Sequence, residues 1–410
     1  MRIGMITQWY EPETGSAAHP AAIARALVAR GHEIKVLTGF PSYPLGRVYD
    51  GYRMRPRMHE TRDGVEILRV PDAPSHDRSA VRRALSLTSF AASATAQVGW
   101  LRDVDVCLTY LTPATVGLAA MTLRRVWGVP YAVYVQDLWP ETITASGFIG
   151  NPATAARVER VLNRWLRRLY AGADGVAAIS PTMAETLAAR GAVVPPVSIP
   201  NWVDERIFAP VTRTGRPHLD DRRWVMYAGG LGEVQALDTA VRALALLDDR
   251  PDLALALVGT GVALPALERL AADLHLGDRV RFLGRFPMEE MPALMAEADA
   301  QLVTLKDLPL FRGTIPSKLQ SSMASALPIV CSVAGDAAEL VRRSGCGFTA
   351  MPEDPPSLAA AFRRLADTSP AELAAMGARA RATYVSELGE ESGAAVLEEL
   401  LTAAASRRPR

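Results

Sequence analysis

The stretch Leu310-Phe311-Arg312-Gly313-Thr314-Ile315-Pro316-Ser317-Lys318 combines two cations with a helix start. Pro316 suits a first helical turn, where its missing N–H costs little. Lys318 then falls in that same turn, a poor place for a cation unless an anion sits there, because the helix dipole is positive at that end. Lys318 with Arg312 therefore reads as an anion pocket, the alternative being a solvated lysine. Lysine is scarce here: Lys35, Lys306 and Lys318 are the three in the chain, against 45 Lys and Arg together. Two glycine loops offer matching chemistry. Gly229-Gly230-Leu231-Gly232 and Gly259-Thr260-Gly261 each follow an apolar, strand-like run. Glycine lets backbone amides approach a phosphate closely, and it serves tight packing turns equally well. Leu264 stands where a dinucleotide fingerprint would need its third glycine, which argues against a nicotinamide enzyme.

Further towards the N-terminus, Thr14-Gly15-Ser16 precedes a helical pattern whose amides suit an anion. Gln136-Asp137-Leu138-Trp139-Pro140-Glu141 follows a buried strand. Its amide and two carboxylates suit sugar hydroxyls, with a turn cap as the alternative for Asp137. No DxD-like pair or His/Cys cluster stands in a suitable loop, so no catalytic metal is expected.

These residues need two sheets to position them. A chain of 410 residues is long for one core. Strand, glycine loop, helix, glycine, strand over residues 2–37 is a βαβ pattern. Strands are expected at Arg2–Thr7, Glu33–Leu37, Val65–Val70, Val104–Tyr110, Ala132–Val135, Gly175–Ile179 and Val197–Pro200. The aperiodic stretch Asn201–Asp221 reads as a linker. A second series follows, with strands at Trp224–Ala228, Leu253–Val258, Val280–Leu283, Gln301–Leu305 and Ile329–Ser332. Its helices are expected over Ala236–Leu247, Leu264–Leu274, Met288–Ala298 and Ser317–Ala326. A last helix, about Glu390–Ala405, has no strand after it and is expected to cross back to the first domain. The expectation is an α/β protein of two doubly wound, Rossmann-like domains, 1–200 with a helix from about 388–410, and 201–387. Their strand ends would share one cleft.

Residues 1–200 carry 22 Lys and Arg against 16 Asp and Glu, and residues 201–410 carry 23 against 28. Arg78, Arg82 and Arg83 precede an apolar helix over Ala84–Leu101. Arg157, Arg160, Arg164, Arg167 and Arg168 stud another. Either a solvated helix face or contact with anionic membrane lipid accounts for them. Residues 84–101 are diluted by Ser, Thr and Gln, against a membrane span, and Met1–Thr7 lacks the pattern of a secretory signal. With three cysteines and no disulfide framework, a reducing, cytoplasmic setting is expected, at most at the inner face of the membrane.

The chain resembles the retaining glycosyltransferases of family 4, with the GT-B fold. The resemblance rests on Tyr10-Glu11-Pro12-Glu13 with Gly15, Arg30-Gly31-His32-Glu33-Ile34, Ile199-Pro200-Asn201-Trp202-Val203-Asp204, Tyr227-Ala228-Gly229, Val258-Gly259-Thr260-Gly261 and Phe282-Leu283-Gly284. Phe40-Pro41-Ser42-Tyr43-Pro44-Leu45-Gly46, Gln136–Glu141 and Pro316-Ser317-Lys318-Leu319 are similar to a bacterial branch that builds surface polysaccharides of O-antigen and colanic-acid type.

The resemblance implies a nucleotide sugar as co-substrate, UDP by default, in the second domain. Arg285 and Phe286 would flank the base. Gly229, Gly230, Gln235, Gly259, Gly261, Gly313, Thr314, Ser317, Ser321 and Lys318 would line the donor, approached by Gly15 and Ser16. Lys318, Arg312 and Asp137 are assigned to the reacting centre. Gln136, Glu141 and Tyr43 are placed near a sugar or lipid-linked acceptor. The chain departs from the family's Glu-x7-Glu motif, whose positions fall at Gly313 and Ser321, and Gly230 and Gln235 stand where relatives carry Arg and Lys. No nucleic-acid partner and no enzyme nucleophile are expected. The alternatives are a nucleotide-sugar 2-epimerase of the same fold, a glycosyltransferase of an antibiotic or small-molecule pathway, and a two-lobed sugar-binding protein without chemistry.

Overall fold

The computed structural model describes residues 1–75, 80–141 and 152–407. The chain divides into two compact units, Met1–Pro200 with Gly393–Arg410, and Asn201–Ser392.

In the first unit β1 (Arg2–Ile6) leads into a 3-10 turn (Gly15–Ala18) and α1 (His19–Ala29). Gly31, with φ 87°, closes that helix in the left-handed region that other residues avoid. β2 (Glu33–Gly39), β3 (Met58–Arg62) and β4 (Val65–Val70) follow, then α2 (Ala80–Gln97), β5 (Val106–Leu111) and α3 (Gly117–Trp127). β6 (Tyr131–Val135), α4 (Pro152–Ala171), β7 (Gly175–Ala178), α5 (Pro181–Ala189) and the short β8 (Val197–Ser198) complete the series. The sheet order is β3-β4-β2-β1-β5-β6-β7-β8, parallel except for β3 against β4. β3 went unpredicted because its polar sequence, Met58-His59-Glu60-Thr61-Arg62, carries no apolar alternation. An edge strand with little buried face needs none. The inner strands bury nearly every side chain, as a sheet covered by helices on both faces requires.

The second unit holds β9 (Arg223–Ala228), α6 (Leu237–Ala245), β10 (Leu253–Val258), α7 (Leu264–Asp273), β11 (Val280–Gly284), α8 (Met291–Met295) and β12 (Ala300–Thr304). It continues with α9 (Pro309–Arg312), α10 (Ser317–Ala324), β13 (Ile329–Ser332), α11 (Asp336–Ser344), β14 (Gly347–Thr349), α12 (Pro355–Asp367) and α13 (Pro370–Thr383). Its parallel sheet runs β11-β10-β9-β12-β13-β14. The helix expected over Met288–Ala298 is instead a 3-10 turn (Met288–Glu290) and the short α8, because Pro287 and Pro292 remove amide donors there. α14 (Glu390–Ala405) carries the chain into the first unit. There Glu398 binds Arg30 at 2.6 Å and His32 at 2.9 Å.

Strand order reverses beside β9 in this sheet. β9 pairs with β12 only at Val225–Ala300 and Met226–Gln301. Beyond those pairs the carboxyl ends of the two strands part, and such a switch point is where open α/β sheets take ligands.

Candidate active site

At that switch point β9 runs into Gly229, whose φ is 150°. A Cβ there would lie 2.4 Å from Lys318 Cε, so only glycine lets the lysine stem cross the loop. Lys318 Nζ reaches Gln235 Oε1 at 3.3 Å and stands 5.2 Å from the centre of the Tyr227 ring. Tyr227 Oη lies 2.7 Å from the Gly230 carbonyl and 2.9 Å from Gln235 Oε1, which fixes the amide that receives the lysine. Burial lowers the pKa of Lys318, and no carboxylate pairs with it among the described residues. It occupies the second position of α10, whose first turn carries no acidic residue and whose cap, Pro316, offers no side-chain bond. A partly desolvated ammonium thus meets the Ser317 and Lys318 amides, since those of Leu319 and Gln320 are taken by the Pro316 carbonyl, and such an end favours a polyanion.

The other expected residues are placed around this site. Pro316 is the cap of α10 and Ser317, exposed, is its first residue. Arg312, exposed at the end of α9, pairs with Asp307 at 3.1 Å, so its charge is already matched. Thr314 Oγ1 donates to the Leu310 carbonyl, and Ser321 Oγ to that of Lys318, both local helix bonds. Gly313 is buried at the end of α9. Gly259 and Gly261 serve loop packing: a Cβ on Gly259 would sit 1.9 Å from the Gly229 carbonyl oxygen, and one on Gly261 2.2 Å from that of Leu231. The Gly259 amide is taken by the Gly284 carbonyl at 2.6 Å. Arg285 is exposed just beyond. Phe286, partly buried, packs its ring edge-on against His218 at 5.2 Å, beside the apolar cluster of Trp224 and Met291. Gly229, Gly230, Gln235 and Lys318 are the predicted residues that the fold gathers. Tyr227, their platform, stood in the sequence as part of the Tyr227-Ala228-Gly229 match, with no role assigned to its side chain.

In the first unit the polar groups gather at the carboxyl ends of β1, β5 and β6. Gln136 and Asp137 follow β6, both largely buried. Thr112 Oγ1 donates to Asp137 Oδ2 at 3.3 Å, while burial raises the pKa of that carboxyl. Glu141 is bound by Arg190, which also donates to the Trp139 carbonyl at 2.8 Å. The pair anchors its loop, with the Glu141 side chain still partly exposed. Gly15 and Ser16 lie in the 3-10 turn that enters α1. Tyr43 stacks at 5.6 Å on Trp9, with its amide on Glu13 at 2.7 Å.

Sequence reading missed His19, which opens α1 with Nδ1 3.3 Å from Tyr110 Oη. Burial holds its pKa down to about 3, so it is neutral. It also missed Asp72, whose carboxyl burial, and next the charge of Glu13, push up to about 7 against a bond from Gln8. A raised carboxyl pKa means that the folded state holds its proton while the unfolded chain has lost it. Stability therefore falls as pH rises from about 4 to about 7, and the penalty stays complete above that. Asp72→Asn is expected to raise the melting temperature at pH 8 by a few degrees and to leave it unchanged at pH 4. Equal effects at the two values would refute this.

Two family models match the chain: residues 14–202 as a "Glycosyl transferase 4-like domain" and residues 222–368 as "Glycosyl transferases group 1". With the paired Rossmann-like units, these place the chain among the glycosyltransferases of the GT-B fold, to which it belongs. Among curated relatives it is 26% identical to the putative colanic acid biosynthesis glycosyl transferase WcaI of Escherichia coli, over 78% of this chain and 79% of that one. It is 28% identical to the probable glycosyltransferase WbjE of Pseudomonas aeruginosa, over 63% of this chain and 65% of that one, just short of two thirds of WbjE's length. Solved structures of similar fold include sucrose-phosphate synthase of Thermosynechococcus elongatus (TM-score 0.72, 19% identity, 97% and 98% of the two chains). Another is Anabaena HepE in complex with UDP (TM-score 0.72, 17% identity, 98% and 100%).

Proposed function

We propose that this protein transfers a sugar, with retention of configuration, from a nucleoside-diphosphate donor to a hydroxyl acceptor in polysaccharide or glycoconjugate assembly. The observation that carries the reading is Lys318, a half-buried ammonium that no carboxylate pairs with among the described residues, laid over Gly229 at the start of α10. As the glycosidic bond to the donor breaks, negative charge grows on the departing diphosphate. A fixed cation and preoriented amides stabilise that charge without reorganising water. In this reading they do so without a metal ion, and the donor's own phosphate oxygen takes the acceptor proton, so no enzyme nucleophile is needed. Gln235 and Tyr227 hold the ammonium in place. The colanic-acid name of WcaI supports a surface polysaccharide as the product class, and HepE, solved with UDP, supports a uridine donor.

Thermal shifts with UDP, GDP and ADP test the donor site. One of them, UDP first, is expected to raise the melting temperature by several degrees, because ligand at about 100 times its Kd adds about 2.7 kcal/mol. No shift with any nucleoside diphosphate would sink the reading. Release of nucleoside diphosphate that depends on added acceptor would separate transfer from epimerisation or plain binding.

For the acceptor side we propose contact with anionic lipid through α4. Arg157, Arg160, Arg164, Arg167 and Arg168 are exposed there without a carboxylate partner among the described residues, and Val161 between them is 64% exposed. Arg78 lies outside the described residues. No helix among them is long and apolar enough to cross a membrane. Vesicles with about one third phosphatidylglycerol should carry the protein in flotation at low salt and release it at ~0.5 M NaCl, where screening is strong. Protein that stays in the soluble fraction at low salt would refute the contact.

A further inference from the structure

Glu13 is 2% exposed, yet it sits in a loop after β1 and bonds no side chain of its own loop. Its carboxylate accepts three backbone amides: Tyr10 at 2.9 Å on Oε2, and Ser42 and Tyr43 at 2.7 Å each on Oε1. Tyr10 belongs to the loop that leads into the Gly15–Ala18 turn. Ser42 and Tyr43 belong to the loop after β2. One carboxylate thus ties together two loops at the carboxyl ends of neighbouring strands.

The other side of the joint is held by Arg69, which is fully buried on β4. Its guanidinium donates to the Gly39 carbonyl at 3.0 Å, to the Glu11 carbonyl, and to Glu60 Oε1 at 2.8 Å. Glu11 is gripped in turn by Arg25 of α1. Trp9 and Tyr43 close the joint with their rings. Burying a carboxylate is costly; three short amide bonds and the nearby Arg69 charge offset part of that cost, and burial still raises the Glu13 pKa. A connection that only had to cover the sheet could use apolar side chains instead.

We infer that Glu13 is a positioning residue, which sets the Gly15–Ser16 turn and the Tyr43 loop in one fixed relation before substrates arrive. The inference rests on the glycosyl-transfer reading, in which the first element approaches the donor and the second the acceptor. Glu13 touches neither substrate. It acts by denying both loops the freedom to shift, and misplacement of about 1 Å can cost about 100-fold in rate.

The test is Glu13→Gln, which turns one acceptor oxygen into an NH2 facing an N–H donor. The donor is whichever of UDP-glucose, UDP-N-acetylglucosamine and GDP-mannose is turned over by the wild type. Expected are a kcat at least about 10-fold lower, a melting temperature within a few degrees of wild type, and a Kd for the matching nucleoside diphosphate within about twofold, since the predicted phosphate contacts lie in the second unit. Unchanged kcat overturns the inference. So does an equal loss of kcat and nucleotide binding, which marks a merely structural role. Should Glu13→Gln not fold, Glu13→Asp, with the charge kept and the reach shortened, carries the same expectations. Hydrogen exchange in the wild type is a further check: Ser42 and Tyr43 amides are expected to exchange at least about 1000-fold slower than open-loop amides, and open-loop rates would overturn the clamp. A Lys318→Met variant with unaltered kcat would refute the donor-site reading itself, whatever Glu13 does.

Discussion

Lys318→Met is expected to lower kcat by two to three orders of magnitude while leaving the melting temperature equal to the wild type's or higher. The two directions come from one cause. The Lys318 ammonium is half-buried against the Tyr227 ring with a single amide oxygen as its hydrogen-bond partner, and that burial opposes its charge. Methionine keeps a flexible stem of similar length over Gly229 and removes the unpaired charge, so the free protein loses a strained group. In the proposed reading the departing diphosphate would lose a fixed cation, and removal of one preorganised stabilising group costs about 100- to 1000-fold in kcat. A stability gain coupled to an activity loss marks a group retained for function. Steady-state kinetics at saturating donor, beside a thermal melt, reads both. Unaltered kcat would refute the role of Lys318 on the leaving group, and a large fall in melting temperature would make it a packing residue.

Gly259→Ala is expected to have the largest effect on stability, about 3 kcal/mol or more. The Gly259 backbone has φ 128°, a region that residues with a Cβ rarely enter. Its new methyl would lie 1.9 Å from the Gly229 carbonyl oxygen, and neither backbone can yield without breaking the Gly259–Gly284 bond at 2.6 Å. Because the displaced atom belongs to Gly229, the injury passes to the crossing of Lys318. Nucleoside diphosphate binding should therefore weaken together with the urea midpoint. Gly230→Ala is the control: a Cβ there meets nothing within 4 Å and its φ is not positive, so its midpoint should stay within about 0.5 kcal/mol of wild type. A stable Gly259→Ala with a wild-type midpoint would contradict the loop contact.

The site's two halves were unequally legible in the sequence. Gly229 and Lys318 announced themselves because a glycine after a strand and a scarce lysine in a first helical turn are local facts. Gln235 was assigned to the donor site, but its bond to Lys318 spans 83 positions, which no local pattern shows. Arg312 and Glu141 looked like free charges because sequence order hides Asp307 and Arg190. The partner of an ion is chosen by folding. Glu13, His19 and Asp72 stayed unmarked as site residues because a carboxylate or imidazole gains its role from burial, and depth has no linear signature.

What the sequence by itself determined was the order of strands and helices in two α/β series, their linker and the loops after the strands. Apolar runs and glycine punctuation specify these through short-range sterics and burial. The tertiary structure decided which loops touch. It set the strand order that reverses beside β9, brought Gly259 against Gly229, and laid Lys318 across the gap that a missing Cβ leaves. Those contacts join residues dozens of positions apart, and they exist only once the parallel sheet has closed and its strand ends share one edge.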